Sequence, residues 1–563
     1  MLRRLESTEA EADARPPWPT PAWTRIETSA ALSTWVEQQR AAPPAVLGLW
    51  VATADGGSRH DVPPREREAL AIAVAVPAHE DTPATAIVVD ATAVLDLCAL
   101  SRWLSEDDAP YVVMHDSQAT LHPLQGSDRP PHRVWAPARR GDTRIAAHLL
   151  AAAAGRTRTD LELPACVDRV LEHRLGPVGG GHGNRGGREL FALPTEQGAA
   201  LAASTLVPMM QALTPLLRRY TLTRPYELET ALVPAVIAME RTGFGIDAVA
   251  FQRIADDWAR ERRSDPPPER IARLDKLLST YAHWPRDFAR RGRIHCRLHP
   301  LAAESGRFSC TDPNLQQVPG AHTAPGLRAC FVPAPGYVLV VADYAQIELR
   351  VAAHLAPCEA MKAVFRDGRD PHRATAATIT GKPESEITTR ERKLAKAVNF
   401  GFLFGMGARR FASYAADSYG VEVDDAGATQ ARRAFLSTFP GIAAWHRRVG
   451  DLGRGKSVTV RTAMGRRKRF AADRFSFNAA LNIPVQGTAA EGFKQAMIDL
   501  HARLSEIGGR GVLVVHDEYI AEVPIVRAEE GCALVKKTME DAMATIVTSV
   551  PIEVDARTAD AWA

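Results

Sequence analysis

Two apolar runs in this sequence end in acids. In YVLVVADY the run 338–342 closes on Asp343, and in GVLVVHDEYI the run 511–515 closes on His516, Asp517 and Glu518. Each pattern reads as a buried strand that delivers a carboxylate at its exit. The two acids lie far apart in the chain, so only the fold can bring them together. Carboxylates gathered out of water repel each other and are costly to desolvate. Three outcomes remain: a proton is retained, Arg or Lys pairs with them, or they hold a cation. Hard oxygen ligands suit Mg²⁺ or Mn²⁺, and a two-cation site can activate an attacking oxygen and stabilise a leaving one. Taken alone, a strand-end Asp more often starts a turn.

A second segment, RERKLAKAVNFGFLFGMGARRF, spaces Arg392, Lys396, Phe400 and Phe404 four residues apart. On a helix these side chains follow one slowly drifting face. Two cations followed by two rings could grip a polyphosphate and then stack on a base. Gly401, Gly405 and Gly407 weaken the helix toward its end and allow a bend or a close approach to a ligand. By spacing alone, a solvated cationic turn running into a core face is the simpler reading.

The elements that must position these groups belong to a long chain. Its 563 residues suggest about three or four units of ordinary domain size. Hydrophobic residues make up 46% and charged residues 24%, which allows large cores and excludes wholesale disorder. A net charge of +3 does not announce a nucleic-acid binder, so any basic surface must be local. The seven cysteines are scattered without a C-x-x-C, which argues against a zinc site or a disulfide framework and fits a reducing compartment. The first residues lack the apolar core of a signal peptide, and no stretch reads as apolar for long enough to span a bilayer. A soluble, intracellular protein is expected.

Along the chain, 1–40 reads as a Pro/Ala-rich, partly ordered start. AVLGLWVA and TAIVVDATAVL read as strands, TRIAAHLLAAAAG as a helix ending at Gly155, and GPVGGGHGNRGG (176–187) as a loop. YELETALVPAVIAMERTGFGID (226–247) has helical periodicity and a Gly-rich stop. Two charged helices are expected on either side of Pro266–Pro268.

Together the acid runs and the basic helix resemble the family A DNA polymerases, the group of bacterial DNA polymerase I. DYAQIELR (343–350), RKLAKAVNFGFLFG (392–405) and VVHDEY (514–519) are similar to the family's three polymerase motifs. GRFSCTDPNLQQVP (306–319), DPHRATAATITG (370–381) and LNIPVQGTAAE (481–491) match further motifs in the same order. Six matches in sequence outweigh the simpler readings of each segment. The resemblance covers roughly 226–563. It implies a multidomain α/β and α+β chain: a ribonuclease H-like, exonuclease-type domain over 41–220, then a right-hand polymerase over 221–563. Within the latter it implies a shortened thumb at about 240–290, a palm at about 291–355 and 455–563, and fingers at about 356–454.

The same resemblance implies roles. Asp343 and Asp517, with Tyr344, would hold two Mg²⁺ ions (or Mn²⁺), with Glu518 as an auxiliary acid. Arg392, Lys396 and His372 would hold the incoming triphosphate, Lys396 also serving as general acid toward pyrophosphate. Phe400, Phe404 and Gln346 would border the incoming nucleotide, and Glu348 would crowd its 2′ position and exclude ribonucleotides. Phe400, where some relatives carry Tyr, implies rejection of dideoxynucleotides. Arg307, Asn482, Gln486 and His516 would touch the new end of the duplex, where minor-groove acceptors are nearly alike for every pair. The implied partners are primer-template DNA, dNTPs and a processivity factor, for a monomer without a membrane, in the cytoplasm at the nucleoid, acting in repair or replication.

This sequence also departs from the family pattern. Phe404 stands where Tyr is usual, and Asn478 where Arg is often found. Few residues separate Asp247 from Ser279, where the family builds its thumb, so weak, salt-sensitive DNA binding is expected. In the N-terminal half, LGLWVAT (47–53) carries Trp50 and Ala52 where a 3′–5′ exonuclease would carry acids. HDSQATLHPL (115–124) has Thr120 in the place of Asp, GDTRIAAHLL (141–150) keeps the D-T pair, and no Asp lies between Asp168 and Asp247. A two-metal nuclease cannot run without its ligands. This half therefore reads as a scaffold that has lost its activity, and there is no room for a separate 5′-nuclease domain. The competing readings are a non-catalytic DNA-binding relic, a polymerase using ribonucleotides or an RNA template, and a polymerase that still proofreads.

Overall fold

The computed structural model describes residues 15–53, 68–78, 83–94, 96–125, 130–156, 159–175 and 195–563. The loop expected at 176–187 lies outside the described residues. Two hydrophobic cores organise the chain, one in each half.

The N-terminal core forms around a six-stranded sheet. Strand β1 (Ala22–Ile26) leads into helix α1 (Ser29–Ala41), followed by β2 (Val46–Thr53), β3 (Ala69–Val76), β4 (Thr85–Asp90), β5 (Tyr111–Met114) and β6 (Arg140–Asp142). The order is β1-β4-β3-β2-β5-β6. β3 runs antiparallel to both neighbours, while β1–β4, β2–β5 and β5–β6 are parallel. The two strands expected from AVLGLWVA and TAIVVD are β2 and β4. Part of the Pro/Ala-rich start belongs to this unit: β1 forms an edge of the sheet, and Leu32 and Val36 of α1 are buried in its core.

Helix α3 (Thr195–Arg219) covers β2, β3, β4 and β5 of the sheet, and helix α2 (Thr143–Ala153) packs on α3. By length and composition α3 could cross a membrane, with a mean hydropathy of 1.4. That corrects the expectation that no stretch is long and apolar enough. The physical reason for its composition is burial: two thirds of the window is enclosed in the N-terminal core.

Helix α4 (Thr223–Thr242) joins the halves. Leu232, Ala235, Val236 and Met239 belong to the C-terminal core, while Tyr226, Val233 and Ile237 belong to the N-terminal one. Spacings of three and four residues place these sets on two faces of one helix. The same helix carries Glu229, 1% exposed, whose Oε1 accepts from Lys494 Nζ at 2.5 Å and from the Arg466 guanidinium. Lys494 also donates to the Pro300 carbonyl. Buried charges persist only when paired in this way. A cavity of about 380 Å³ opens on this seam, lined among others by Asp116, Arg144, His148, Glu229 and Arg297; Asp343, Asp517 and Glu518 are not part of its lining.

The two charged helices expected around the proline run are α5 (Ala248–Arg263) and α6 (Pro268–Tyr281). Asp247 caps α5 by accepting from Val249 N and Ala250 N, and Pro268 opens α6 where no N–H is needed. Phe251, Trp258, Leu274, Leu277 and Tyr281 pack into the C-terminal core itself. The Tyr281 hydroxyl also donates to the Gln317 carbonyl at 2.7 Å.

The C-terminal sheet contains β7 (Tyr337–Tyr344), followed by α7 (Ile347–Leu355), α8 (Pro371–Thr380) and α9 (Thr389–Leu403). The hairpin β8 (Val458–Arg461) and β9 (Arg467–Phe470) precedes the long helix α10 (Phe477–Glu506), then β10 (Arg510–Val515), β11 (Glu518–Pro524), α11 (Ala528–Ala544) and β12 (Val554–Ala559). The sheet order is β10-β11-β7-β12, all antiparallel. Helices α10 and α11 pack together, and α11 also packs on β7 and β12.

Candidate active site

The sheet register assembles the acids. Asp343 is the penultimate residue of the central strand β7, and it lies opposite Glu518 of β11 on one side and Asp555 of β12 on the other. Directly opposed residues leave the same face of a sheet. Asp517 sits in the turn between β10 and β11, within electrostatic reach of Asp343. The Asp343 side chain is reachable by water but lies among protein atoms and acids. Burial, followed by Asp517, Glu518 and Asp555, pushes its carboxyl up to about 7. Burial also raises Asp517, with Arg307 opposing the shift, and raises Glu518, with the Trp562 N–H opposing it.

Two backbone positions beside these acids are left-handed without being glycine: Gln346 at φ 49° and His516 at φ 59°. Such conformations cost of order 1–3 kcal/mol each and concentrate at functional sites. Gln346 turns the chain from β7 into α7, and His516 turns β10 into β11.

Among the described residues no three His, Cys, Asp or Glu side chains form a ready metal cage. A donor set of two carboxylates with open positions is nonetheless what Mg²⁺ takes when water and phosphate oxygens complete its shell. The crowding that raises Asp343 is the charge imbalance a cation would offset. The residues therefore fit a divalent ion. The Tyr344 ring is buried, and its hydroxyl donates to the Met539 carbonyl at 2.7 Å. Only its main-chain carbonyl could face a cation.

Glu348, on the first turn of α7, meets two residues expected at the duplex end. Arg307 donates to its Oε1 at 2.6 Å and Gln486 at 3.3 Å. Burial raises its carboxyl and Arg307 opposes that. Asn482, one turn before Gln486 on α10, keeps a buried Oδ1 without a partner among the described residues.

Helix α9 starts with a capping box: Thr388 Oγ1 accepts from Glu391 N at 3.3 Å, and Glu391 accepts from Thr388 N at 2.8 Å. It ends at Phe404, followed by Gly405 at φ 75°, where a Cβ would meet the Phe477 ring at 2.5 Å. Arg392 on this helix donates to Asp370 at 2.6 Å, and Lys396 is exposed. The Phe400 ring lies 5.9 Å from His372, centroid to centroid. Burial, with Arg392 and Lys396 nearby, pushes His372 down to about 4 and keeps it neutral, although Asp370 opposes the shift. Arg392, Lys396 and Phe400 follow one helix face, and His372 of α8 lies beside Phe400 in the same neighbourhood.

Sequence reasoning missed the contacts of three residues, Asn399, Trp562 and Asn478. The buried Asn399 amide donates to the Pro371 carbonyl and to His372 Nδ1 at 2.9 Å, which places the His372 proton on Nε2. A buried Asn in mid-helix is the signal that could have revealed it. The Trp562 indole N–H donates to Glu518. The two departures at 404 and 478 meet, since Asn478 donates to the Phe404 carbonyl at 2.6 Å.

In the N-terminal sheet the corresponding search finds no acid on the central strand. Trp50 and Ala52 of β2 are buried in the core, and Thr120 is buried, donating to the His115 carbonyl. Asp142 is fully enclosed, accepting from Ser117 N and Oγ and from Arg144 N and Ile145 N. It is committed to capping α2 and to holding the start of the short helix Ser117–Leu121.

The model of DNA polymerase family A matches residues 267–563. The chain is 41% identical over 305 residues to the thermostable DNA polymerase I of Thermus filiformis, covering 51% of this chain and 35% of that protein. It is 37% identical over 314 residues to DNA polymerase I of Aquifex aeolicus, covering 54% and 53% respectively. With DNA polymerase I of Pseudomonas aeruginosa it shares 38% over 303 residues, 51% of this chain and 32% of the other. The chain thus matches between about a third and a half of these relatives' length. The solved POL domain of Pol1 from M. smegmatis, in complex with DNA primer-template and dNTP, superposes with a TM-score of 0.77 at 23% identity. That match covers 96% of this chain and 99% of that one, and it shows a shared fold.

Proposed function

Since the chain belongs to DNA polymerase family A, we propose that it extends the 3′ end of a primer on a DNA template with dNTPs, in repair or replication. One observation carries this reading: the register of the C-terminal sheet brings Asp343 and Glu518 onto one face, with Asp517 in reach.

Asp343 and Asp517, with the Tyr344 carbonyl, would hold two Mg²⁺ ions, for which Mn²⁺ can substitute. When bound, the ions neutralise the phosphates and favour the attacking and leaving oxygens. The chain's own groups do the positioning. Arg392 exchanges its contact with Asp370 for the triphosphate, and exposed Lys396 reaches the same phosphates and can give a proton to the departing pyrophosphate. Neutral His372, turned by Asn399, offers its Nε2–H to a phosphate oxygen. Phe400 stacks on the incoming nucleotide, bordered by Gln346 and Phe404, and rejects its dideoxy form. Glu348, held by Arg307 and Gln486, fills the space a 2′-hydroxyl would need. Asn482, with its spare acceptor, and exposed His516 meet the newest base pair. Preorganised charges of this kind supply most of the rate in phosphoryl transfer.

The N-terminal unit is proposed to be a ribonuclease H-like, exonuclease-type fold without 3′–5′ activity. Its strand order and antiparallel β3 support the fold, and Trp50, Ala52, Thr120 and the enclosed Asp142 support the loss. Helices α5 and α6 form the shortened thumb. Few phosphate contacts make the enzyme distributive without a processivity partner. The protein acts as a monomer in the cytoplasm, at the nucleoid, without a membrane.

The test is one gel of labelled primer on a longer template, with Mg²⁺, with and without dNTPs, beside Asp517→Ala. Extension by the wild type alone, with no shortening when dNTPs are left out, is expected. Shortening that survives the substitution would overturn the loss of exonuclease. A folded, DNA-binding wild type that never extends would make the chain a binding relic. Single-encounter products of hundreds of nucleotides would refute the distributive reading.

A further inference from the structure

We propose that Trp562 is a positioning residue that holds the Glu518 carboxylate aside from the Asp343–Asp517 pair, a proposal that rests on reading that pair as cation ligands. Glu518 lies directly opposite Asp343 in the sheet, so both side chains leave the same face. Opposed residues stand roughly 5 Å apart at Cβ, within reach of one shared cation. A glutamate is one methylene longer than an aspartate and free to swing. Left alone, Glu518 would join the ligand set as a third carboxylate. The cation would be bound more tightly, and a position needed by a phosphate oxygen would be taken.

The indole N–H of Trp562 donates to Glu518 Oε1 at 2.8 Å. An indole is a donor only, so its bond must go to an acceptor such as this one. The ring itself is fixed from several sides. Trp562 is 1% exposed, with the rings of Phe244 and Phe331 at 5.9 and 5.6 Å. Its main-chain N–H donates to the Phe331 carbonyl at 2.9 Å. The Arg328 guanidinium lies over the indole at 4.3 Å while donating to the Val318 carbonyl at 3.0 Å. A side chain locked this firmly can fix the rotamer of a flexible acid. Partners behind a ligand set commonly change metal affinity or activity by about 10–100-fold when removed.

The experiment measures Mn²⁺ binding to the full chain without DNA or nucleotide, from the electron paramagnetic resonance of free Mn²⁺. It pairs this with kcat and KM for dNTP in primer extension. Trp562→Phe keeps a ring and loses only the donor. It is expected to bind Mn²⁺ about tenfold more tightly and to lose about tenfold in kcat, with KM little changed. Adding Glu518→Gln to that variant should abolish the tightening. Glu518→Gln alone leaves the ring packing intact and should weaken Mn²⁺ binding by no more than about fivefold, the loss of a nearby negative charge that is not itself a ligand. Unchanged affinity in a Trp562→Phe chain that melts like wild type would overturn the proposal. So would the same tightening when Trp562→Phe is made on top of Glu518→Gln, which would mean that Trp562 acts through packing. A large loss of affinity in Glu518→Gln alone would make Glu518 a ligand and overturn it as well. If Asp343→Asn leaves Mn²⁺ affinity unchanged, the cation site itself is wrong, a result that none of the Trp562 or Glu518 outcomes mimics.

Discussion

Two central strands of eight residues, β2 and β7, are each hydrogen-bonded on both sides within their sheets. β7 delivers Asp343 to a face it shares with Glu518 and Asp555. β2 carries Trp50 and Ala52, both closed off from water. One sheet concentrates like charge and is destabilised there by its own composition. The other has filled the equivalent reach of its central strand with apolar volume. Like charge is held close in the first and is absent from the same reach of the second.

The sharpest way to break the comparison is Asp517→Ala, which should lower single-turnover extension by ~10³-fold or more while leaving DNA binding in place. Retained turnover would mean the acids are not the working end of the molecule. Next is the reverse change in the other sheet. Ala52→Glu buries a carboxylate in a closed core and should cost roughly 3 kcal/mol or more in denaturant unfolding. A neutral result would reveal a cation or solvent path in the N-terminal sheet. In the C-terminal half, Glu348→Ala should raise ribonucleotide incorporation relative to dNTP by ~10–100-fold in competition assays.

The seam offers a smaller effect. His148 has its pKa pushed down to about 4 by burial, with Arg466, Arg144 and Lys494 nearby and Glu229 opposing them. Between about 4 and the ordinary 6.5, the unfolded chain binds more protons, so stability falls as pH drops through that window. His148→Gln should flatten that acid limb of the melting curve by roughly 1–2 kcal/mol. The smallest effect mirrors the second prediction. Asp343→Asn should raise stability in chelator by no more than about 1 kcal/mol, because the side chain is open to water and its repulsions are screened.

What the sequence disclosed follows from range. Asp343 and Asp517 stood out because an apolar run ending in an acid is a local pattern, and the α9 cations and rings because helical spacing is local too, but in both segments the resemblance to family motifs outweighed the simpler reading that the pattern alone favours. ALAIAVAV was assigned no element, since Ala favours helices and only the neighbours β2 and β4 make it strand β3. The bonds Trp562–Glu518, Asn478–Phe404 and Lys494–Glu229 join residues distant in sequence, and no spacing rule reaches across a fold. Alternation along β7 points the Tyr344 ring away from Asp343 and onto the Met539 carbonyl, so a ligand role at this position falls to its main-chain carbonyl, a distinction that residue type alone does not make.

Helix α4 contributes one face to each core, so the border between the halves runs lengthwise along a helix and not across a linker. This bears on inheritance. A module joined by a tether can be dropped or traded once its activity is gone. Here, deleting the N-terminal half would leave Val233 and Ile237 uncovered, and cutting beyond α4 would strip Glu229 from Lys494 and Arg466. The N-terminal sheet is built in as a foundation stone is, by the weight that rests on it.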